Sequence, residues 1–286
     1  MTADPSFAAG TRIAMTTGEI SVEDLRIGDM PLGPDGLPRR LSAIGLTAYS
    51  PRALATNSAL RPVRIGTGAL GGIPSRDLML GPAVRIRLSC GTAVPAWLLV
   101  DDTRITREIP ASTLRLYNLT YEGPRGVVAE GLAADTAPEA DLATILQARA
   151  RLASASGFSP GRLRGLLDKA DRMSVSGWAR DEDHPDRPVA LELRFGDASA
   201  GPILACRARD DLAEARLGDC AFRLVLPTPL DPARAHVLRM LRMEDGMPLP
   251  GPAMLLDRAA PLAALLAALD RGAVEDLRKL VEEFGG

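Results

Sequence analysis

Few side chains in this 286-residue chain stand close enough together to suggest joint chemistry. The densest cluster is Asp181-Glu182-Asp183-His184, three acids and an imidazole of the kinds that ligate metals. Pro185 follows at once, and acids in a row before a proline more often form a solvated turn, which is the expectation here. Arg209-Asp210-Asp211 sets two carboxylates beside a guanidinium, and is expected to be a surface turn with local ion pairs. Asp101-Asp102 before Thr103 reads as a hairpin turn. Trp97 and Trp178 have the flat faces on which sugars stack, although a single tryptophan in a β core is the commoner case. Gly68-Ala69-Leu70-Gly71-Gly72 lacks the Lys-Ser/Thr pair and the helix that a phosphate loop requires. Cys90, Cys206 and Cys220 are odd in number and without metal-ligand spacing. Cys206 and Cys220 would meet across neighbouring strands, as reduced buried thiols. No cofactor and no metal site is expected.

The elements that must position these residues are mostly strands. Pro (23) and Gly (27) are plentiful and aromatics make up 3%, which favours turn-rich β structure with Leu, Val, Ile and Ala cores. The length suits two modest domains. A net charge of −2 with no strongly basic half gives no reason to expect nucleic acid or an anionic membrane as partner. The N-terminus has no signal-like apolar run, and no segment reaches the ~18–20 apolar residues of a membrane helix. A soluble, cytoplasmic protein is expected, with signal-less export left open.

Alternation and glycine breaks predict short strands at 11–15, 19–22, 41–46, 61–70 and 84–88. From Pro138 the period changes. Leu142, Ile145, Leu146, Ala150 and Leu152 are spaced as on a helix over 139–155, and a second short helix is predicted over 160–170, with Ser159 as N-cap. Strands return at 172–179, 189–195, 202–209, 221–226, 236–242 and 254–256, a spacing that predicts a β-sandwich. An amphipathic helical segment is predicted over 261–284; exposed, it would form an oligomer interface.

Two stretches carry a family likeness. Ser6-Phe7-Ala8-Ala9-Gly10-Thr11 and Glu23-Asp24-Leu25-Arg26-Ile27-Gly28-Asp29 resemble the Cys-Phe-x-x-Gly-Thr opening and the Glu-Asp-Leu-x-x-Gly-Asp segment of bacterial Hedgehog/intein (Hint) domains. Pro62-Val63-Arg64-Ile65, Gly68-Ala69-Leu70-Gly71, Arg76-Asp77-Leu78, Val94-Pro95-Ala96 and the closing Ala129-Glu130-Gly131-Leu132 continue it, so the resemblance spans about residues 6 to 136. It implies a mainly β Hint-like domain over 1–136. A helical connector over 137–170, a β-sandwich over 171–258 and a helical segment over 259–286 would follow. Within the sandwich, Gly177-Trp178-Ala179-Arg180-Asp181 resembles an accessory module of Hint-containing proteins and polysaccharide glycosyltransferases.

An active member of that family shifts an acyl group onto its first side chain, with histidine donating a proton to the departing nitrogen. The resemblance puts Ser6 at the nucleophile position, Val84 at the first histidine and Pro124 at the second. A hydroxyl without a base is a weak nucleophile, and the only histidines, His184 and His236, fall in the second half. With only five residues before Ser6, little would be released. The expected function is therefore a degenerate, non-catalytic scaffold that binds a protein or glycan partner. Slow autoprocessing through Ser6 and a carbohydrate-associated role for the sandwich are the competing readings.

Overall fold

The structure, a computed structural model, describes residues 5–123, 126–135 and 140–258. The expected C-terminal helix and Pro124 lie outside these residues. The first half contains β1 (Ser6–Ala8), β2 (Arg12–Met15), β3 (Gly18–Ser21), β4 (Leu41–Tyr49), α1 (Pro51–Thr56), β5 (Val63–Ile65) and β6 (Leu78–Leu80). It continues with β7 (Arg85–Arg87), β8 (Ala93–Pro95), α2 (Ala96–Leu99), β9 (Ile105–Arg107), β10 (Leu114–Tyr121), β11 (Gly126–Ala129) and β12 (Leu132–Asp135). These strands form two six-stranded antiparallel sheets, ordered β4-β10-β1-β6-β5-β9 and β3-β2-β11-β12-β7-β8. One core fills the space between them. Phe7, Leu78, Leu80 and Leu119 enter from the first sheet, and Ile13, Ile86, Val94 and Leu132 from the second, all fully buried.

The closing sequence Ala129-Glu130-Gly131-Leu132 has a local reason for its order. Ala129 pairs with Leu132, leaving Glu130 and Gly131 as a two-residue hairpin loop. Both take positive φ, 49° and 79°, as the twist-matched type I′ turn requires. The turn points the buried Glu130 carboxylate back into the domain, where it accepts hydrogen bonds from Arg12 N (2.8 Å) and Arg76 Nε (3.2 Å).

α3 (Leu142–Ser156) follows, with Asp141 as N-cap accepting from Thr144 N at 2.9 Å and Gly157 ending it at φ 72°. Its apolar stripe does more than connect. Ile145, Leu146 and Ala148 are buried in the core of the first half, together with Ala190 and Leu204 from the second.

The second helix predicted over 160–170 is not formed. That sequence is β13 (Leu163–Ala170), paired along its length with β14 (Ser174–Asp181). The N-cap signal at Ser159-Pro160 is overridden by a strand ladder, and Gly165 marks the override. A Cβ there would strike the Trp178 carbonyl and Ala179 Cα, a close backbone approach that only glycine permits. β15 (Val189–Phe195), β16 (Ala198–Ala205), α4 (Asp210–Glu214), β17 (Ala221–Val225), β18 (His236–Arg242) and β19 (Met254–Leu256) complete the described chain. Sheets β13-β14-β17 and β16-β15-β18-β19 share a core of Leu163, Val175, Leu191, Leu193, Phe222 and Leu238, which makes the expected sandwich. β16 starts and ends four residues before the predicted 202–209. Beyond it, Arg207 bridges to Ala221, so the chain crosses from one sheet to the other.

Candidate functional site

Ser6 sits in β1, buried, between β10 and β6. It pairs with Asn118 in register, and its carbonyl accepts from Gly81 N at 2.9 Å. The Pro5 carbonyl, the electrophile of an acyl shift, accepts from Leu119 N at 2.9 Å as part of the same ladder. The Ser6 hydroxyl itself has no hydrogen-bond partner among the described residues. Gly81 lies directly against it: a Cβ on Gly81 would overlap Ser6 Oγ and stand 3.7 Å from Val84 Cγ2. The fold thus brings Ser6, Gly81 and the buried Val84 together, with neither a base nor a proton donor among them. Asn118 turns its amide to Thr47 Oγ1 at 2.9 Å.

The remaining sequence candidates resolve into structural roles. Asp181 is buried rather than solvated, a correction to the turn expected at 181–184. One carboxylate oxygen accepts from Asp183 N and His184 N (both 3.1 Å), the other from Gly161 N (2.8 Å) and Arg242 Nη1 (3.1 Å). Burial is affordable because every lone pair has a donor. No group of three or more metal-ligating side chains forms among the described residues. His184 Nε2 lies 3.3 Å from the Ser159 carbonyl and His236 Nε2 lies 3.0 Å from that of Asp231, both far in sequence from Ser6. Asp101 accepts from the backbone N–H groups of Thr103, Arg104 and Ile105 at 2.8–2.9 Å, which fixes the turn before β9. Arg209 precedes α4 rather than a turn, with ion pairs to Asp211 (2.7 Å) and Asp168. Trp97 packs against the first core, and the Arg164 guanidinium lies 5.7 Å over the Trp178 ring. Cys206 and Cys220 are free thiols whose burial pushes them above their ordinary range, so both stay protonated near neutrality.

Sequence reasoning missed one cluster. Glu244 joins Arg149 (3.1 Å) and Arg187 (3.4 Å), all three nearly inaccessible to solvent. Burial, then the like charge of Arg187, pushes the Arg149 guanidinium down against the opposing pull of Glu244. Arginine at position 149, on the apolar side of a predicted helix, was the available signal.

A family model described as Hint domain matches residues 5–141. Among solved structures, the chain is similar to a bacterial intein-like domain from Clostridium thermocellum, at 14% identity and a TM-score of 0.36, over 46% of this chain and 97% of that one. It is also similar to the Msm DnaB1 intein splicing domain bound with zinc, at 17% identity and a TM-score of 0.33, over 45% and 98% of the two chains. The MchDnaB-1 intein gives 15% identity and a TM-score of 0.33 over the same shares, 45% and 98%. No curated protein matches. No helix of the described residues is long and apolar enough to cross a membrane. The family match, with the mainly β architecture of the residues it covers, identifies residues 5–141 of this chain as a Hint domain.

Proposed function

We propose that the Hint domain of this chain is catalytically silent and serves as a structural platform for protein interaction. The observation that carries this reading is the surroundings of Ser6: a hydroxyl without a hydrogen-bond partner among the described residues, against Gly81 and with Val84 nearby. An N–O acyl shift would require Ser6 Oγ to lose its proton and attack the Pro5 carbonyl carbon. The Pro5–Ser6 C–N bond would then break, with a proton delivered to the Ser6 nitrogen. An isopropyl group can do neither transfer, and general acid–base help is worth about 10²–10⁴ in rate. The platform reading is supported further by the shared core that fastens α3 and the sandwich to the domain.

The test is intact mass after prolonged incubation with hydroxylamine, which traps an ester at Ser6. The expected mass is unchanged. A species lacking residues 1–5, absent in Ser6→Ala, would overturn the reading in favour of autoprocessing.

A further inference from the structure

A cavity of about 560 Å³ opens between the Hint domain and the sandwich, within the size range of small-molecule sites. Five arginines and two aspartates line it, an excess of positive charge in a chain whose net charge is −2. Two of the arginines are already engaged. Arg61 faces Asp186 at 3.8 Å, and Arg187 is held by Glu244 and by the Val100 carbonyl, the latter at 2.8 Å. The second aspartate, Asp219, accepts from Ser58 Oγ at 3.1 Å. Arg107, Arg180 and Arg216 form no ion pair with any described residue.

The first two are under-satisfied as well as unpaired. Arg107 gives one terminal nitrogen to the Ser58 carbonyl (3.2 Å) and Arg180 gives one to that of Arg216 (3.3 Å). The Nε of each is buried and has no partner among the described residues. Each guanidinium therefore keeps spare donor capacity on its terminal nitrogens, the atoms an occupant of the cavity would meet. Burial pushes the Arg107 guanidinium below its usual range even against the opposing pull of Asp186, Asp102 and Asp219, so an anion placed beside it would add to that pull. The same cavity has an apolar side formed by Trp97, Pro82 and Leu217. Cys206 and Cys220 reach it as neutral thiols and bring no competing negative charge.

We propose that this interdomain cavity binds a small organic oxyanion, a carboxylate or phosphomonoester on a flat apolar body, with the anion on Arg107 and Arg180 and the body against Trp97. A planar guanidinium fork suits either oxyanion. Ser6 and Val84 do not line the cavity, so this site and the silent Hint reading stand or fall separately.

The test uses the full chain carrying Trp178→Phe, which leaves Trp97 as the sole tryptophan reporter. Phenyl phosphate, benzoate, inorganic phosphate and uncharged phenol are titrated in turn. A saturable change in Trp97 fluorescence is expected with phenyl phosphate or benzoate, weakened by salt and by at least about 10-fold in Arg107→Gln and in Arg180→Gln. The exposed Arg115→Gln should leave it unchanged. Which anion binds more tightly assigns the headgroup as phosphate or carboxylate. Thermal unfolding checks each variant, and Arg180→Gln, at a half-buried position outside both main cores, keeps the test open if Arg107→Gln fails to fold. No saturable signal with any anion, equal binding of phenol, or full-strength binding by both arginine variants would overturn the proposal.

Discussion

A hydroxyl becomes a nucleophile when a neighbour takes its proton, and among the described residues the Ser6 hydroxyl has no hydrogen-bond partner and lies against Gly81. The carboxylates that matter in the Hint domain have gone instead to holding backbone. Glu130 receives donors from Arg12, Ser75 and Arg76 while lying buried in a two-residue turn. Glu130→Ala would strand the Arg12 N–H and should lower stability in urea by about 2–3 kcal/mol. Glu130→Gln, which keeps an acceptor oxygen, should lose less. Asp77 gives a pH-dependent counterpart. The Thr67 N–H, then the Arg64 guanidinium, holds its carboxyl below the ordinary 3.8. Its folded pKa is thus below the unfolded one, so its contribution is present above pH ~4 and is lost as pH falls through the folded value. Urea midpoints at pH 5 and pH 3 should therefore differ less in Asp77→Asn than in the parent chain.

Among the elements, β13 is the one whose local signals conflict. Ser159-Pro160 imitates a helix start, yet Gly161 and Gly165 weaken a helix and both occupy close approaches, Gly161 just before the strand and Gly165 within it. Asp181 and Asp183 crowd Gly161, and the Trp178 carbonyl meets Gly165. Gly165→Ala should therefore cost about 1–3 kcal/mol by denaturant titration, as over-packing against backbone does. A loss no larger than that of the outward-facing Leu166→Ala would argue against the strand register. α3 is the opposite case, since cap, stripe and C-terminal glycine agree and the helix forms within one residue or so of them at its C-terminal end.

At the scale of the molecule, the Hint domain and the sandwich are joined by buried charge as well as by apolar contact. Arg149 on α3, Arg187 before β15 and Glu244 after β18 meet in one place, and Arg187 also reaches the Val100 carbonyl of the first half. Glu244→Ala would leave two guanidinium groups buried without their carboxylate. The expected loss is about 3–5 kcal/mol, seen in the urea midpoint. With Ala190 and Leu204 sharing the first core, calorimetry of the parent chain should show one unfolding transition for the two halves. Two resolved transitions would mean that the shared core does not couple them.

Much of this was legible in the chain itself. Alternation and glycine breaks located the strands, with 189–195, 236–242 and 254–256 found at their observed limits, because those patterns record which side of a strand meets the core. The expectation that Ser6 and Val84 stand where the family keeps its reactive groups also rests on residue type alone, since identity decides whether a side chain can move a proton. Tertiary structure decided the rest. That Asp181 is buried, that 163–170 pairs as a strand, that Glu244 holds two arginines and that Arg107 and Arg180 face one cavity all depend on segments distant in sequence. Electrostatic and packing energies act through space, and no local pattern specifies which distant partners will meet.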